Sequence, residues 1–374
     1  MTRSTLLPLA AALLLSCDAA AAPQPEHAAQ SPPGAAAPAA ADPEAPPQVE
    51  NARFERAMAQ GGVAATLRRL GAGDRDAFWV AWYVPIVADH PYTCCWTSDW
   101  KPGPCRLEAR NQSWGNSDRE RERAAGPNLA VLVRMADGAI GRVRAVSQGC
   151  GLDLGGRRLV WLDGVDPEDS LRALTGLARE GGGGRKGDDP AEEAVMAISL
   201  HGLAQADAAL EALATGEHRT SVREAALFWL GQTRGRRGYE VLSRVVRRDP
   251  DGEIREKAVF ALSQSEVPEA ADTIVEVARG DRSAEVRGQA LFWLAQGQEQ
   301  RPQVILEAVS RDPDPEVREE AVFALSQLED EGVELLVRVV RESRDPEIRR
   351  KALFWLGQSE DPRALEFLSD LLGE

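Results

Sequence analysis

Beyond residue 188 the apolar positions follow a helical period, and the whole pattern then recurs as a block. One copy reads Val222-Arg223-Glu224-Ala225-Ala226-Leu227-Phe228-Trp229-Leu230-Gly231-Gln232, with others at 254–264, 286–296, 317–327 and 348–358. The anchors Val222, Ile254, Val286, Val317 and Ile348 stand 32, 32, 31 and 31 residues apart. Such a period predicts stacked helical units, none of which can bury its own apolar face alone. A partner helix is expected at 238–248, 269–279, 302–310, 332–341 and 363–372. Segment 191–201 reads as a worn copy of the repeated helix, followed by 205–214, so about twelve helices form six pairs. Asp314-Pro315-Glu316 and Asp345-Pro346-Glu347 supply an N-cap acid, proline at the first helical position and a carboxylate at the positive helix end; Asp251 and Ser283 take the same cap position.

Wound at roughly 100° per residue, Ala226, Trp229 and Leu230 fall on the anchor's side, while Phe228 and Gly231 lie opposite with Glu224 between them. Gln232 lies toward the flank beyond Phe228. Three columns result: Phe228, Phe260, Phe292, Phe323 and Phe354; Gln232, Gln264, Gln296, Gln327 and Gln358; and the acids Glu224, Glu256 and Glu319. Small residues (Gly231, Ser263, Ala295, Ser326, Gly357) fill a slot beside them. The arginine after each anchor (Arg223, Arg255, Arg287, Arg318, Arg349) is expected to pair with Asp249, Asp281, Asp312 or Asp345, each pair contributing no more than about 1 kcal/mol. Trp229, Ala261, Trp293, Ala324 and Trp355 alternate in step with Leu227, Val259, Leu291, Val322 and Leu353, which implies duplication of a two-repeat unit with large and small side chains interleaved along the core.

The Asp-Pro cap, the Val/Ile-Arg pair, alanine four and leucine eight positions after the anchor, and a small residue at nine resemble short HEAT-like repeats, the class that includes the phycobilin lyase subunits. Tetratricopeptide and ankyrin signatures do not fit. The resemblance covers about half the chain and implies an α-solenoid. It also implies that the far side of the repeated helix forms a concave face where partners dock. Phenylalanines there would offer apolar contact, and the glutamine amides would pair with an extended peptide backbone. The competing reading packs each Phe against the next repeat and spends each Gln on backbone groups between repeats.

Upstream, residues 51–180 read as a small module. A helix is expected at 53–60, then a strand at 78–87 that is apolar on both faces. Strands at 129–135 and 140–147 flank Asp137-Gly138, a hairpin signal because both turn positions favour φ > 0. Another strand follows at 157–162, and Asp166-Pro167 caps a helix carrying Leu171, Leu174 and Leu177. The expectation is a small antiparallel sheet with at least one helix. Cys94, Cys95, Cys105 and Cys150 suggest two disulfides. Because adjacent cysteines resist pairing with each other, Cys95–Cys105 with Cys94–Cys150, preferred slightly, stands beside Cys94–Cys105 with Cys95–Cys150. A zinc site with His90 is a third reading. Trp96, Trp100 and Trp114, in a polar segment, read either as a recognition surface or as lids on a small core. No Ser-His-Asp or Cys-His arrangement is readable, and His90 is the module's only histidine. The glycine run at 181–187 reads as a flexible hinge before the array at 188–374.

The chain opens with Arg3, an apolar run at 6–15 and Ser16-Cys17, a secretory signal by pattern (1–17). Leu14-Leu15-Ser16-Cys17 resembles a bacterial lipobox, which implies lipidation of Cys17; the alternative is ordinary cleavage within 19–22. Residues 18–50, rich in Ala and Pro, form a disordered tether of roughly 3 Å per residue. No later stretch approaches the roughly 20 apolar residues of a membrane span. A net charge of −15 and a pI near 5.0 argue against nucleic acid and acidic bilayers as partners.

These features favour a non-catalytic, exported, lipid-anchored binding or scaffold protein of the cell envelope. Its solenoid docks a protein or peptide, and no cofactor or metal is expected. In one alternative the N-terminal module senses a ligand while the repeats act as spacer or dimerisation arm. The lyase resemblance implies another, an enzyme subunit handling a tetrapyrrole.

Overall fold

A computed structural model of the chain describes residues 46–373, apart from 74, 89–91, 97–103, 110–112, 118–125, 182–188, 298–299 and 330. Cys17, the tether as far as residue 45, His90, Trp100 and all but the first glycine of the 181–187 run lie outside the described residues, as do the side chains of Trp96 and Trp114. No described helix is long and apolar enough to cross a membrane.

The module is built on a five-stranded sheet in the order β2 (Arg53–Met58), β10 (Arg158–Asp163), β3 (Phe78–Pro85), β7 (Asn128–Ala136), β8 (Ala139–Ser147). Residues expected as a helix at 53–60 are therefore a strand, paired in parallel with β10 from Arg53↔Arg158 to Met58↔Asp163. Arg, Glu, Ala and Met favour helices locally, but the ladder with β10 decides. The helix comes later, as α1 (Val63–Gly71), after Gly61 and Gly62 turn the chain at φ 73° and 90°. The sheet is mixed rather than wholly antiparallel. β10 lies between β2 and β3 and runs parallel to both, so α1 serves as a crossover between two parallel strands. The β7–β8 hairpin turns at Asp137 and Gly138, φ 51° and 77°, as the sequence demands.

Strand β3 is apolar on both faces because both are covered. Phe78, Val80, Trp82 and Val84 join the core under α1 and α2 (Pro167–Glu180). Trp79 and Ala81 face a second core with Leu107, Leu152, Leu154, Trp161 and the four cysteines. That second core is held by Cys94–Cys150 and Cys95–Cys105, the first of the two expected pairings. The sulfurs of Cys94, Cys105 and Cys150 lie close together because the two bridges sit side by side. Small strands flank them: β1 (Val49–Glu50), β9 (Leu152–Asp153) and β5 (Cys105–Arg106) make one sheet, and β4 (Tyr92–Trp96) pairs with β6 (Ser113–Ser117).

The array runs from α3 (Pro190–Leu200) and α4 (Gln205–Thr215) through α5 (Thr220–Thr233), α6 (Gly235–Arg248), α7 (Gly252–Ser263) and α8 (Glu269–Gly280). It continues with α9 (Ala284–Gln296), α10 (Pro302–Arg311), α11 (Pro315–Ser326), α12 (Gly332–Glu342), α13 (Pro346–Gln358) and α14 (Pro362–Leu372). These are the six expected pairs. Asp251, Asp314 and Asp345 each accept a backbone N–H two residues on, and Ser283 accepts from Val286 N. The repeated helices α5, α7, α9, α11 and α13 stack so closely that a Cβ on Gly231 would overlap the Ala261 carbonyl oxygen. The small-residue slot is thus a buried helix contact, at Gly231 and Ala295, and not part of the far face as the wheel had it. The partner helices are bridged by long side chains instead, as in Arg236–Glu269 at 2.9 Å, Arg247–Glu276 at 2.8 Å and Arg279–Glu307 at 3.1 Å. The repeated helices are thus the more closely packed row, and in a solenoid the more closely packed row lies on the inside, which assigns these helices to the inner wall.

One hydrophobic core runs from the sheet into the array without interruption. Helix α3 makes the join by packing on the edge strand β8, on α2 and on α5. Its register with the later copies shifts by one residue from the sequence expectation. Glu192-Glu193-Ala194-Val195-Met196 matches Glu319-Glu320-Ala321-Val322-Phe323 in residue type, and burial follows the same order, with Ala194, Val195, Ala321 and Val322 buried and Met196 and Phe323 half-buried.

Candidate functional site

On each repeated helix the acid, phenylalanine and glutamine columns lie at i, i+4 and i+8, so they form one stripe. Phe228, Phe260, Phe292 and Phe323 are half-buried, and Phe354 is exposed. Each ring packs on a neighbour and keeps a solvent-facing side. Phe228 stacks on Phe260 with centroids 6.0 Å apart, and Phe292 stacks on Phe323 at the same distance. Between these pairs stand the tryptophans. Trp293 lies 4.8 Å from Phe260 and 5.0 Å from Phe292, while Trp355 lies 4.9 Å from Phe323 and 5.1 Å from Phe354. With Trp229 edge-on to Phe228 at 5.1 Å, an unbroken file of eight rings crosses five repeats. The tryptophans pack against the core, as expected, yet are only half-buried and also touch the phenylalanines, one in every second repeat in alternation with alanine at 261 and 324.

The glutamines follow the same two-repeat rhythm. Gln232 donates to Gln264 and Gln296 to Gln327, each at 3.4 Å, and Gln264 and Gln327 donate onward to Ser263 and Ser326. The amides therefore bond with one another and with hydroxyls, and all but Gln327 are exposed.

Acids two positions after an anchor meet bases three positions after the next. Glu224 pairs with Lys257 at 3.6 Å and Glu319 with Lys351 at 2.9 Å. In the middle of the array the rule fails. By the same spacing neutral Gln289 stands where Glu256 would need a base, and Gly288 meets Glu320, whose carboxylate occupies the place a Cβ at Gly288 would take. Neither Glu256 nor Glu320 has a hydrogen-bond or ion-pair partner among the described residues. Burial pushes the Glu320 carboxyl up to about 7, with Glu316, Glu285, Asp314 and Glu256 adding to the rise. Burial also raises Glu256; Lys257 offsets part of this, and Glu285 adds to it. Glu320 is itself exposed, with its carboxylate lying against Gly288 of the preceding repeated helix. Neither Gly288 nor Glu320 stood out in the sequence, although the alternation Glu224/Lys257 and Glu319/Lys351 could have exposed the break.

Behind this face the arginines form the expected ladder. Arg223 pairs with Asp249, Arg255 with Asp281 through two bonds of 2.8 Å, Arg287 with Asp312 at 2.8 and 2.9 Å, and Arg318 with Asp345 at 3.6 Å. Arg349 is exposed and makes no such pair among the described residues. Arg255 is only 2 % exposed and also donates to the Asp249 carbonyl, so the surface-pair magnitude does not apply to it.

Residues 206–295 and 302–374 match the family model described as HEAT repeats. The array is made of HEAT repeats. No curated protein sequence matches the chain. Among solved structures, the CpcE–CpcF complex of phycocyanin lyase from Nostoc sp. PCC7120 is 18 % identical over 41 % of this chain and 98 % of that one, with a TM-score of 0.32. Human deoxyhypusine hydroxylase is 19 % identical over 56 % of this chain and 80 % of that one, TM-score 0.29. Yeast importin-β (Kap95p) is 15 % identical over 43 % and 24 %, TM-score 0.27. These likenesses say nothing of what this HEAT array binds.

The sheet module has a concavity of its own, about 560 Å³, beneath α1 and α2. Leu67, Trp82, Met135 and Leu174 line it, with Arg68 and Arg172 among its other wall residues.

Proposed function

We propose that the chain is a non-catalytic binding protein whose HEAT-repeat inner face docks an extended segment of a partner protein. The observation that carries this reading is the file of eight rings, each with a solvent-facing side, flanked by exposed amides. Aromatic rings on a rigid wall bind apolar groups at small entropic cost, and glutamine amides offer both donor and acceptor to a peptide backbone. In this reading Phe228, Phe260, Phe292, Phe323 and Phe354 are contacts, Gln232, Gln264, Gln296, Gln327 and Gln358 pair with the backbone, and Glu224, Glu256 and Glu319 border the face. Export and lipidation at Cys17 belong to the same proposal; two disulfides in the module support an oxidising compartment.

Crosslinking in the native host, comparing the natural chain with a Phe260→Glu, Phe292→Glu variant, tests the docking face. Loss of a specific crosslink, with helical circular dichroism retained, is the expected result. If the variant unfolds, the rings hold the repeats together. If it folds and keeps the crosslink, the partner sits elsewhere. Metabolic labelling with a fatty-acid analogue tests the anchor, and an unlabelled product removes it.

A further inference from the structure

The inner wall of the array already has one occupant, and it comes from the chain itself. At the first repeat this wall is partly covered, because α3 lies against the edge strand β8. There Glu193, at the position Glu320 holds in the fifth repeat, accepts the backbone N–H of Val143 at 2.6 Å and forms an ion pair with Arg144. Both charged side chains are largely buried, 15 % and 11 % exposed. An edge strand carries unpaired N–H groups and needs acceptors, so a carboxylate that takes one N–H and the adjacent arginine meets two needs of an extended chain at once. Four repeats further on, Glu320 presents the same group at the same helical position with neither partner supplied. Gly288 gives its side chain room to lie across α9, and Glu256 adds a second unpaired carboxylate one repeat before that.

We propose that the middle of the inner face receives an extended, arginine-bearing segment of the partner, with its guanidinium and an adjacent backbone N–H on Glu320 and its apolar side chains on the rings of Phe260, Trp293 and Phe323. The proposal rests on the docking function above and narrows it to a chemistry. Charge complementarity favours this occupant: an anionic segment would meet Glu256, Glu285 and Glu320 together, and a neutral one would leave Glu320 without a partner. Helices packed 8–10 Å apart and a strand rise of about 3.3 Å per residue set the scale. About three partner residues cross each repeat, and about six span one aromatic two-repeat unit.

The test is selection of a phage-displayed random twelve-residue peptide library on the purified full-length chain, followed by affinity measurement of the recovered peptides. Recovered sequences should be enriched in arginine or lysine among apolar residues. Replacing that basic residue by glutamine should weaken binding to the natural chain roughly tenfold, and to a Glu256→Gln, Glu320→Gln chain hardly at all. If the peptides lack basic residues, or if the two glutamates can be neutralised without effect, this inference falls. The docking function then still stands, provided the Phe260→Glu, Phe292→Glu chain fails to bind them. Peptides that bind that folded variant equally well, or a selection that recovers none, overturn both.

Discussion

The sheet module and the HEAT array bury charge and apolar surface to similar ends by different means. In the module each device appears once: a mixed sheet with a core on either side, two adjacent bridges, and Glu108 gathering Trp79, Arg134 and Arg157. In the array one device recurs, an arginine reaching from four successive repeats to an aspartate at the start of the next, beside a file of rings. A contact made once can be lost locally. A contact that joins neighbours cannot, because each repeat relies on the next for its stability. The difference teaches that damage to the module should stay in the module, whereas damage to one rung should pass along the array.

The largest effect is expected at the best-buried rung. Arg255→Ala leaves Asp281 without its counter-charge in a buried site and should destabilise the array by about 3–5 kcal/mol, measured by urea unfolding of the full chain. Arg349→Ala, at an exposed position, should change stability by less than about 0.5 kcal/mol. Next comes the covalent constraint on the module. Cys94 and Cys150 close 56 residues, so replacing both by alanine should cost about 4 kcal/mol, detected as earlier loss of the near-ultraviolet signal of Trp79, Trp82 and Trp161 while helical signal persists. Simultaneous loss of both signals would show that module and array unfold as one unit through the core they share.

A third effect lies at the join. His201, fully buried at the end of α3, forms an isolated bridge with Ile86. Burial, with the nearby Arg234 cation, holds its imidazole down to about 4. The folded chain therefore keeps His201 neutral where an unfolded chain, near 6.5, takes up a proton. Its contribution is fully present above pH 6.5, declines as pH falls, and is lost by pH 4, amounting to about 3 kcal/mol. Unfolding midpoints of the natural chain and His201→Gln across pH 4–7 should converge as pH falls. The smallest effect belongs to the glutamine column, where Gln232→Ala should alter stability by less than about 0.5 kcal/mol, since the amide is exposed and its 3.4 Å bond is long.

Much of this was written in the residues because the array repeats its rules, the ring column five times and the cap and Arg–Asp pair four times each. The caps, the helix pairs and the Arg–Asp ladder follow from spacing alone. The module states its rules once, and there local propensity misled. Arg53–Met58 looks helical until β10, a hundred residues away, supplies a parallel neighbour. The tryptophans do pack on the core, but a wheel of one helix cannot show that Trp293 is shared between Phe260 of the preceding repeat and Phe292 of its own. The unpaired state of Glu320 depends on Gly288, a residue whose meaning appears only when two repeats stack.

Photocrosslinking from two positions tests the central claim most directly. A photoreactive phenylalanine analogue in place of Phe292 reports on the inner face, and the same analogue in place of exposed Glu276 reports on the outer layer. In the native host an adduct with a partner protein should form from position 292 and not from 276. An adduct from 276 with none from 292 would place the partner on the outer layer and contradict the account.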